Sequence, residues 1–338
     1  MKDATKEAWD ILRNYESSDL VRSAYKARHG GELSANKARE ICTAITQGRN
    51  YMTAANAAAS DVEPLLAYYG VLSLSRGLIL FLSNTLRENG LSQAHGLTVN
   101  GWGQELAKPT GDVASLIITL NTNGTLRQLV EATQHASFLR NNANKPNAVV
   151  RCNALPETCE VTLLDLLSRI PEVRSQQMRW RATRNAVSIW PQTEQSNGDM
   201  HVRIDRPYGK DDVEAVFGAD AAIVSDQGGV LTYSLKGERE NYYSDCTGPA
   251  WGIGALVVLR PMQNGLELSK LAMAFVASYA LGMLVRYYPS HWVSMLQNVR
   301  HDGALPTMLA TLEHIEEDVP RMVMEFLEPP ASLLSETS

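Results

Sequence analysis

Apolar residues recur at helical spacing through the first quarter of the chain. Trp9, Leu12 and Tyr15 form one stripe, and a second, longer stripe contains Ile41. Ser34 precedes the second stripe, and serine is a residue type that accepts a hydrogen bond from the first backbone N–H groups of a helix. The pattern predicts several successive helices in this part of the chain.

The two most apolar runs of the chain lie far apart in sequence. The first, residues 65–82, follows Ser60 and Glu63, which have the spacing of a capping box, and Pro64, which suits a first helical turn. The second, residues 271–285, is shorter than the roughly 20 residues that span a membrane. Because neither run has a polar face, we expect both to be buried helices that pack against each other in one core.

The middle third of the chain has a different pattern. Helices are predicted at residues 126–133, 163–170 and 172–180, with Pro171 between the last two. Short apolar or alternating runs predict strands at residues 115–120, 186–190, 200–204, 222–224, 230–235 and 255–259. Asp226-Gln227-Gly228-Gly229 separates two of these runs and supplies the glycines of a tight hairpin, which predicts an antiparallel pair.

Helices therefore flank a mixed segment, which predicts an α+β fold with a predominantly helical core and a mixed, β-containing insertion in the middle third. We place the N-terminal helical part of the core at residues 1–90 and the α/β insertion at residues 91–262. The C-terminal helical part follows at residues 263–328, and residues 329–338 form a tail.

Composition and charge narrow the class of protein. The 338 residues are 44% hydrophobic and 20% charged, as in ordinary globular proteins. The net charge of −6 excludes the overall basic field of a dedicated nucleic-acid binder, so any such surface must be local. The first residues include acidic side chains and no apolar stretch, unlike a secretory signal, and we expect a cytoplasmic protein.

Motifs for metals and cofactors are missing from the sequence. Cys42, Cys152, Cys159 and Cys246 lack the spacing of a zinc knuckle and are expected to be buried, reduced thiols, and the histidines show no metal-ligand spacing. The chain has no GxxxxGK[ST], GxGxxG or GxSxG motif for phosphate transfer, dinucleotide binding or hydrolase chemistry. We therefore expect no metal and no cofactor.

Several motifs at matching spacings resemble the YaaC-like family over most of residues 1–328. They are EPLLAYYG at residues 63–70 with Leu72, Leu74 and Arg76 after it, AHGL at 94–97, LRPM at 259–262, LS at 268–269 and SYALGMLVRYYPSHW at 278–292. The family has no assigned activity. The resemblance implies a helical core that is similar in outline to the HEPN class, which includes metal-independent ribonucleases.

Arg286 and His291 have the R-x4-H spacing of HEPN ribonucleases. Histidine can take a proton from a 2′-hydroxyl near neutral pH while arginine stabilises the negative charge of the transition state, so cleavage would need no metal. Tyr287 and Pro289 depart from the nuclease pattern. The alternative interpretation makes Arg286 a cation at a helix C-terminus and places His291 in the first turn of the next helix.

A group of arginines around Trp180 could bind single-stranded RNA, because guanidinium groups pair with phosphates and aromatic rings stack on bases. The candidate residues are Arg174, Arg179, Trp180, Arg181 and Arg184. The alternative is a solvated helix face, or pairing with the acidic residues between 313 and 318.

Three functions remain open at this point. We expect a non-enzymatic interaction or scaffold subunit of a bacterial stress or anti-phage assembly, which binds another protein or itself. The alternative is a HEPN-like metal-independent endoribonuclease that uses Arg286 and His291, with RNA as its partner. A third possibility is a small-ligand sensor with a pocket between the helical core and the insertion.

Overall fold

A computed structural model gives the fold and describes residues 2–140, 145–183, 185–194, 200–205, 209–217, 221–227, 230–235, 250–253, 255–260, 262, 265–330 and 333. The helices are α1 (Lys2–Leu12), α2 (Ser18–His29), α3 (Ala35–Ala57), α4 (Glu63–Leu82), α5 (Trp102–Ala107), α6 (Thr125–Ala132), α7 (Leu163–Leu167), α8 (Arg174–Trp180), α9 (Lys210–Phe217), α10 (Lys270–Tyr287), α11 (Pro289–Leu296) and α12 (Leu305–Leu327). The strands are β1 (Leu97–Thr98), β2 (Ile117–Leu120), β3 (Ala136–Leu139), β4 (Ala148–Arg151), β5 (Cys159–Thr162), β6 (Ala186–Glu194), β7 (Met200–Asp205), β8 (Ala221–Gln227), β9 (Val230–Leu235), β10 (Ala250–Ile253) and β11 (Ala255–Leu259).

Helices α3 and α4 form an antiparallel pair that packs at close range. Ser34 caps α3 as predicted, accepting a hydrogen bond from the Lys37 backbone N–H. A Cβ atom at Gly48 would lie 2.6 Å from the Leu74 side chain, and one at Gly77 would lie 2.7 Å from Ile45. The two helices can approach this closely because these positions carry no side chain.

The expected pairing of the two apolar runs is confirmed, since α4 and α10 pack against each other. Gly282 of α10 faces Tyr68 of α4, where a Cβ would lie 2.9 Å from the tyrosine Cβ. α10 is buried from Leu271 to Val285. α4 is long and apolar enough to cross a membrane, but 67% of its most apolar window is buried inside the protein. Burial in the core accounts for its hydrophobicity.

Within the described residues, the strands form three antiparallel sheets. β1, β2 and β5 make one sheet, and β3 pairs with β4 in another. The third has the order β10-β11-β6-β7-β9-β8. Gln227 of β8 pairs with Val230 of β9, which confirms the predicted antiparallel pair, although the two glycines of its turn lie outside the described residues.

The α+β class with a helical majority is confirmed. One large hydrophobic core contains residues from helices α1, α2, α3, α4, α10 and α12 and from the two smaller sheets. A second, smaller core lies under the six-stranded sheet. The predicted domain boundaries at residues 90, 262 and 328 stay a prediction. Cys42, Cys152 and Cys159 are buried free thiols, as expected, whereas Cys246 lies outside the described residues.

Two details of these predictions were wrong, although the helix and the strand concerned both form. The capping box is not formed, because α4 begins at Glu63 with Val62 at the N-cap position and without a side-chain cap. The strand predicted from residue 115 begins at Ile117, since Val113–Ser115 forms a turn of 3-10 helix instead. Asp112 caps that turn through the backbone N–H of Ala114, and this local hydrogen bond competes with extended structure.

Candidate functional site

Arg286 lies at the exposed end of α10, in the last helical turn. Its guanidinium donates a hydrogen bond to the Tyr69 hydroxyl on α4 at 3.2 Å. It also lies over the ring of Tyr287, 5.1 Å from the ring centroid. A cation at this end of a helix interacts favourably with the helix dipole, so the position is stable for an arginine whatever its function.

A group of aromatic side chains lies directly beneath Arg286. The Tyr68 hydroxyl and His95 Nδ1 are 2.6 Å apart, and the rings of Tyr68 and His95 both lie within 6 Å of the Tyr279 ring. The Tyr279 hydroxyl donates a hydrogen bond to the Leu97 carbonyl at 3.0 Å. We call Tyr68, Tyr69, His95, Tyr279 and Arg286 the Arg286 cluster.

The loop that carries His95 is held by two glycines. Gly96 has a φ of 82° and Gly124 a φ of 137°, and both values strain any residue with a Cβ. A Cβ at Gly124 would lie 2.2 Å from the Gly96 backbone, so the two loops touch. The His95 carbonyl also accepts a hydrogen bond from the Leu126 N–H in the first turn of α6. The histidine is therefore positioned by backbone contacts on both sides.

Burial shifts the pKa values of His95, Tyr68 and Tyr279 in the Arg286 cluster towards their neutral forms. Burial lowers the pKa of His95, and the nearby cations Arg286 and Arg76 lower it further. Burial raises the pKa of Tyr279 to about 12, with Arg286 acting in the opposite direction. Arg76 and Arg286 thus bring two positive charges to one neutral, aromatic region.

His291 lies on a different helix from Arg286. The chain bends by 102° between α10 and α11, and His291 is in the first turn of α11, as the alternative interpretation expected. In the described part of the chain, no hydrogen bond or ion pair joins Arg286 to His291. Pro289 causes the break, because it lacks the N–H that would continue α10.

Three of the five candidate RNA-binding residues line one cleft of about 280 Å³. They are Arg179, Trp180 and Arg181, and the other described residues that line this Trp180 cleft are Asp112, Val113, His301, Gly303 and Ala304. Arg181 pairs with Asp112 at 2.8 Å, whereas Arg179 is exposed. Arg174 begins α8 and does not line the cleft, and Arg184 lies outside the described residues.

His301 is a residue of this cleft that sequence analysis did not select. Its Nε2 atom is buried and has no hydrogen-bond partner among the described residues, and its backbone is left-handed with a φ of 59°. Burial lowers the pKa of His301, with Arg300 and His291 acting in the same direction and Asp112 opposing them. His291 therefore lies within electrostatic range of His301. A non-glycine residue with positive φ is the kind of signal that only coordinates provide.

Glu172, His314 and Asp318 come close enough together to share a metal ion. His314 Nδ1 lies 2.8 Å from Asp318 Oδ2 and 3.9 Å from Glu172 Oε2. The guanidinium of Arg321 also contacts Asp318, so a cation would compete with an arginine for the same carboxylate. The sequence spacing did not reveal this group, because Glu172 lies in a turn before α8, far along the chain from His314 and Asp318. The expectation of no metal stays a prediction.

The fold and these clusters define an α+β protein with a large helical core and two separate groups of cationic and aromatic side chains on it. The chain belongs to the YaaC-like protein family, whose pattern matches residues 11–327. This confirms the resemblance seen at the motifs, which include Tyr68, Tyr69, His95 and Arg286. No curated protein and no solved structure matches the chain.

Proposed function

We propose that the chain is a non-enzymatic interaction subunit of a cytoplasmic bacterial stress or anti-phage assembly. The observation that carries this proposal is that the two nuclease candidates lie on different helices and make no direct contact among the described residues. Arg286 bonds to Tyr69 on α4, whereas His291 lies beyond a 102° bend. A general base and a cation must reach the same phosphate to cleave RNA, so this arrangement favours binding over catalysis.

The outer edge of β8 supplies a surface for such an interaction. β8 is the last strand in its sheet, so its outer N–H and C=O groups face no other strand among the described residues. Ile223 and Val224 are 47% and 52% exposed, next to a shift in the register with β9. An exposed apolar edge strand is a template for pairing with another strand.

We propose a second copy of this chain as the strand that pairs with β8. Two β8 strands related by a two-fold axis would run antiparallel and continue both sheets into one. Asp226 is the only charged residue in β8, so antiparallel pairing creates no row of like charges. The exposed side chains of Ile223 and Val224 would then be covered by the same residues of the second copy.

We expect the wild-type protein to sediment as a dimer at micromolar concentration, and Val224→Lys to be monomeric because the charge would be buried at the strand pair. Val299→Lys is the matched control, since Val299 is 72% exposed and lies outside the sheet. It should leave the dimer intact. A monomeric wild-type protein, or equal dimers for both variants, would rule out self-association through β8.

The ribonuclease remains as a second proposed function because of the Trp180 cleft. Arg179, Trp180 and His301 line one cavity, and His291 lies within electrostatic range of it. Phosphate pairing, base stacking and proton transfer would each have a residue of the right type there. Arg286, the other catalytic candidate of the ribonuclease alternative, does not line this cleft.

We expect the purified protein not to cleave single-stranded RNA in the presence of EDTA. His291→Ala should change only stability, and by a small amount, because His291 is half-buried in the first turn of α11. Cleavage by the wild type that is lost in His291→Ala without a change in Tm would favour the ribonuclease instead. If the protein does cleave RNA, Arg286→Ala shows whether Arg286 takes part. The substitution should reduce cleavage only if Arg286 reaches the same phosphate as His291.

A further inference from the structure

A groove runs along α3 and α4. The groove has a volume of about 290 Å³. Residues on one face of α3 and on one face of α4 line it. The described lining residues are Glu40, Thr43, Ala44, Gln47 and Tyr51 from α3, Tyr69, Leu72, Ser73, Arg76 and Leu80 from α4, and Glu88 and Leu91 from the following segment. We call this cavity the α3–α4 groove.

Arg76 lines this groove and has no counter-ion among the described residues. Its side chain is half-buried, and within the described part of the chain it makes no hydrogen bond or ion pair. An arginine on an otherwise apolar helix that is not paired by the protein has its donors available for a ligand. Arg286 adds a second positive charge at the rim, because it bonds to the Tyr69 hydroxyl that lines the groove.

The two carboxylates of the groove differ in their partners. Glu40 accepts two hydrogen bonds from the Arg87 guanidinium, at 2.9 and 2.5 Å, and a third from the Glu88 backbone N–H. Its charge is therefore already neutralised. Glu88 has an exposed side chain at the end of the groove. Arg76 and Arg286 together give the groove a positive excess over Glu88.

The walls around Arg76 carry neutral donors and aromatic rings. The Ser73 hydroxyl donates a hydrogen bond to Gln47 Oε1 at 3.4 Å, and Thr43 also lines the groove. The rings of Tyr51 and Tyr69 lie 5.5 Å apart in a tilted arrangement. A terminal phosphate offers three acceptor oxygens and a double negative charge, which suits a guanidinium surrounded by such donors.

We propose that the α3–α4 groove binds a small phosphorylated molecule, with Arg76 pairing with the phosphate and Tyr51 and Tyr69 packing against a ring of its organic part. Inorganic phosphate would fill only part of the groove, so the ring contributes to affinity through apolar contact. This site is independent of the proposed dimer, because β8 belongs to another part of the fold.

The test is calorimetry of the full chain with three probes: phenyl phosphate, inorganic phosphate and phenol. We expect phenyl phosphate to bind more tightly than either fragment. Arg76→Gln should weaken phenyl phosphate binding about tenfold or more, the usual loss for a hydrogen bond between charged groups. Arg39→Gln is the control, since Arg39 is exposed on α3 but does not line the groove, and it should bind like the wild type.

Glu88→Gln provides a test with the opposite sign and a lower risk of misfolding, because its side chain is exposed. Removing this negative charge should strengthen phenyl phosphate binding and leave phenol binding unchanged. The proposal is overturned if phenyl phosphate does not bind saturably up to about 10 mM. It is equally overturned if folded Arg76→Gln keeps wild-type affinity, or if Glu88→Gln has no effect or weakens binding.

Discussion

Leu281→Ala should lower the free energy of unfolding by about 2 to 5 kcal/mol. Leu281 has no exposed surface and lies in the middle of α10, in the largest hydrophobic core. The substitution removes buried methyl groups and leaves a cavity, because α4 and α10 already approach closely at Gly282 and cannot collapse further. Denaturant unfolding followed by circular dichroism measures the loss.

Leu72→Ala is the matched comparison on α4. The sequence suggests the same role for Leu72 and Leu281, since both belong to uninterrupted apolar runs. In the structure Leu72 is half-buried and lines the α3–α4 groove. Its replacement should therefore cost about 1 kcal/mol, from lost apolar area without an enclosed cavity. Equal losses for both variants would mean that the groove is closed in solution.

The fold was predictable where burial alone decides the structure. The apolar runs of α4 and α10 predicted buried helices because they are too long for ordinary strands and have no polar face. The alternating runs of the middle third predicted strands because alternation places apolar side chains on one face of a sheet. The start of α4 was not predictable. Ser60 and Glu63 have capping-box spacing, but the chain turns before Glu63 and Val62 takes the N-cap position. Several local hydrogen-bond patterns compete at a helix start, and tertiary packing selects one.

The candidate sites were predictable only as residue types. R-x4-H spacing drew attention to Arg286 and His291, but Pro289 between them breaks the helix, and the chain bends by 102° there. Contacts between distant segments, such as Arg286 with Tyr69 and His95 with Tyr68, depend on how α4 and α10 pack and leave no spacing signal in the sequence. The candidates Arg179, Trp180 and Arg181 line one cleft, and their role in binding RNA stays a prediction.

Glu316 is a buried acid whose ionisation should make the stability of the protein depend on pH. It lies on α12 and is 9% exposed, and its Oε1 atom is buried without a hydrogen-bond partner in the part of the chain that the structure describes. Burial raises the pKa of Glu316 to about 7, and the negative charges of Glu63 and Glu313 add to the effect. The folded state therefore favours the protonated acid, whereas the unfolded chain ionises near pH 4.5.

The direction of the pH effect follows from these two pKa values. Below pH 4.5 both states hold the proton, and the full stability is present. As the pH rises towards 7, only the unfolded state releases the proton, so the free energy of unfolding falls; above pH 7 the loss is complete. Solvent screens part of the repulsion, so we expect a total loss of about 1 to 2 kcal/mol.

Glu316→Gln should therefore stabilise the protein at pH 8 by about 1 to 2 kcal/mol and leave it nearly unchanged at pH 4, since glutamine resembles the protonated acid. Denaturant unfolding at both pH values measures the difference between the variant and the wild type. Glu131→Gln, an exposed position on α6, is the control and should change stability by less than about 0.5 kcal/mol at either pH. A Glu316→Gln variant that is less stable than the wild type at pH 8 would show that the ionised carboxylate has a partner in solution, and that α4 and α12 meet there through an attractive contact.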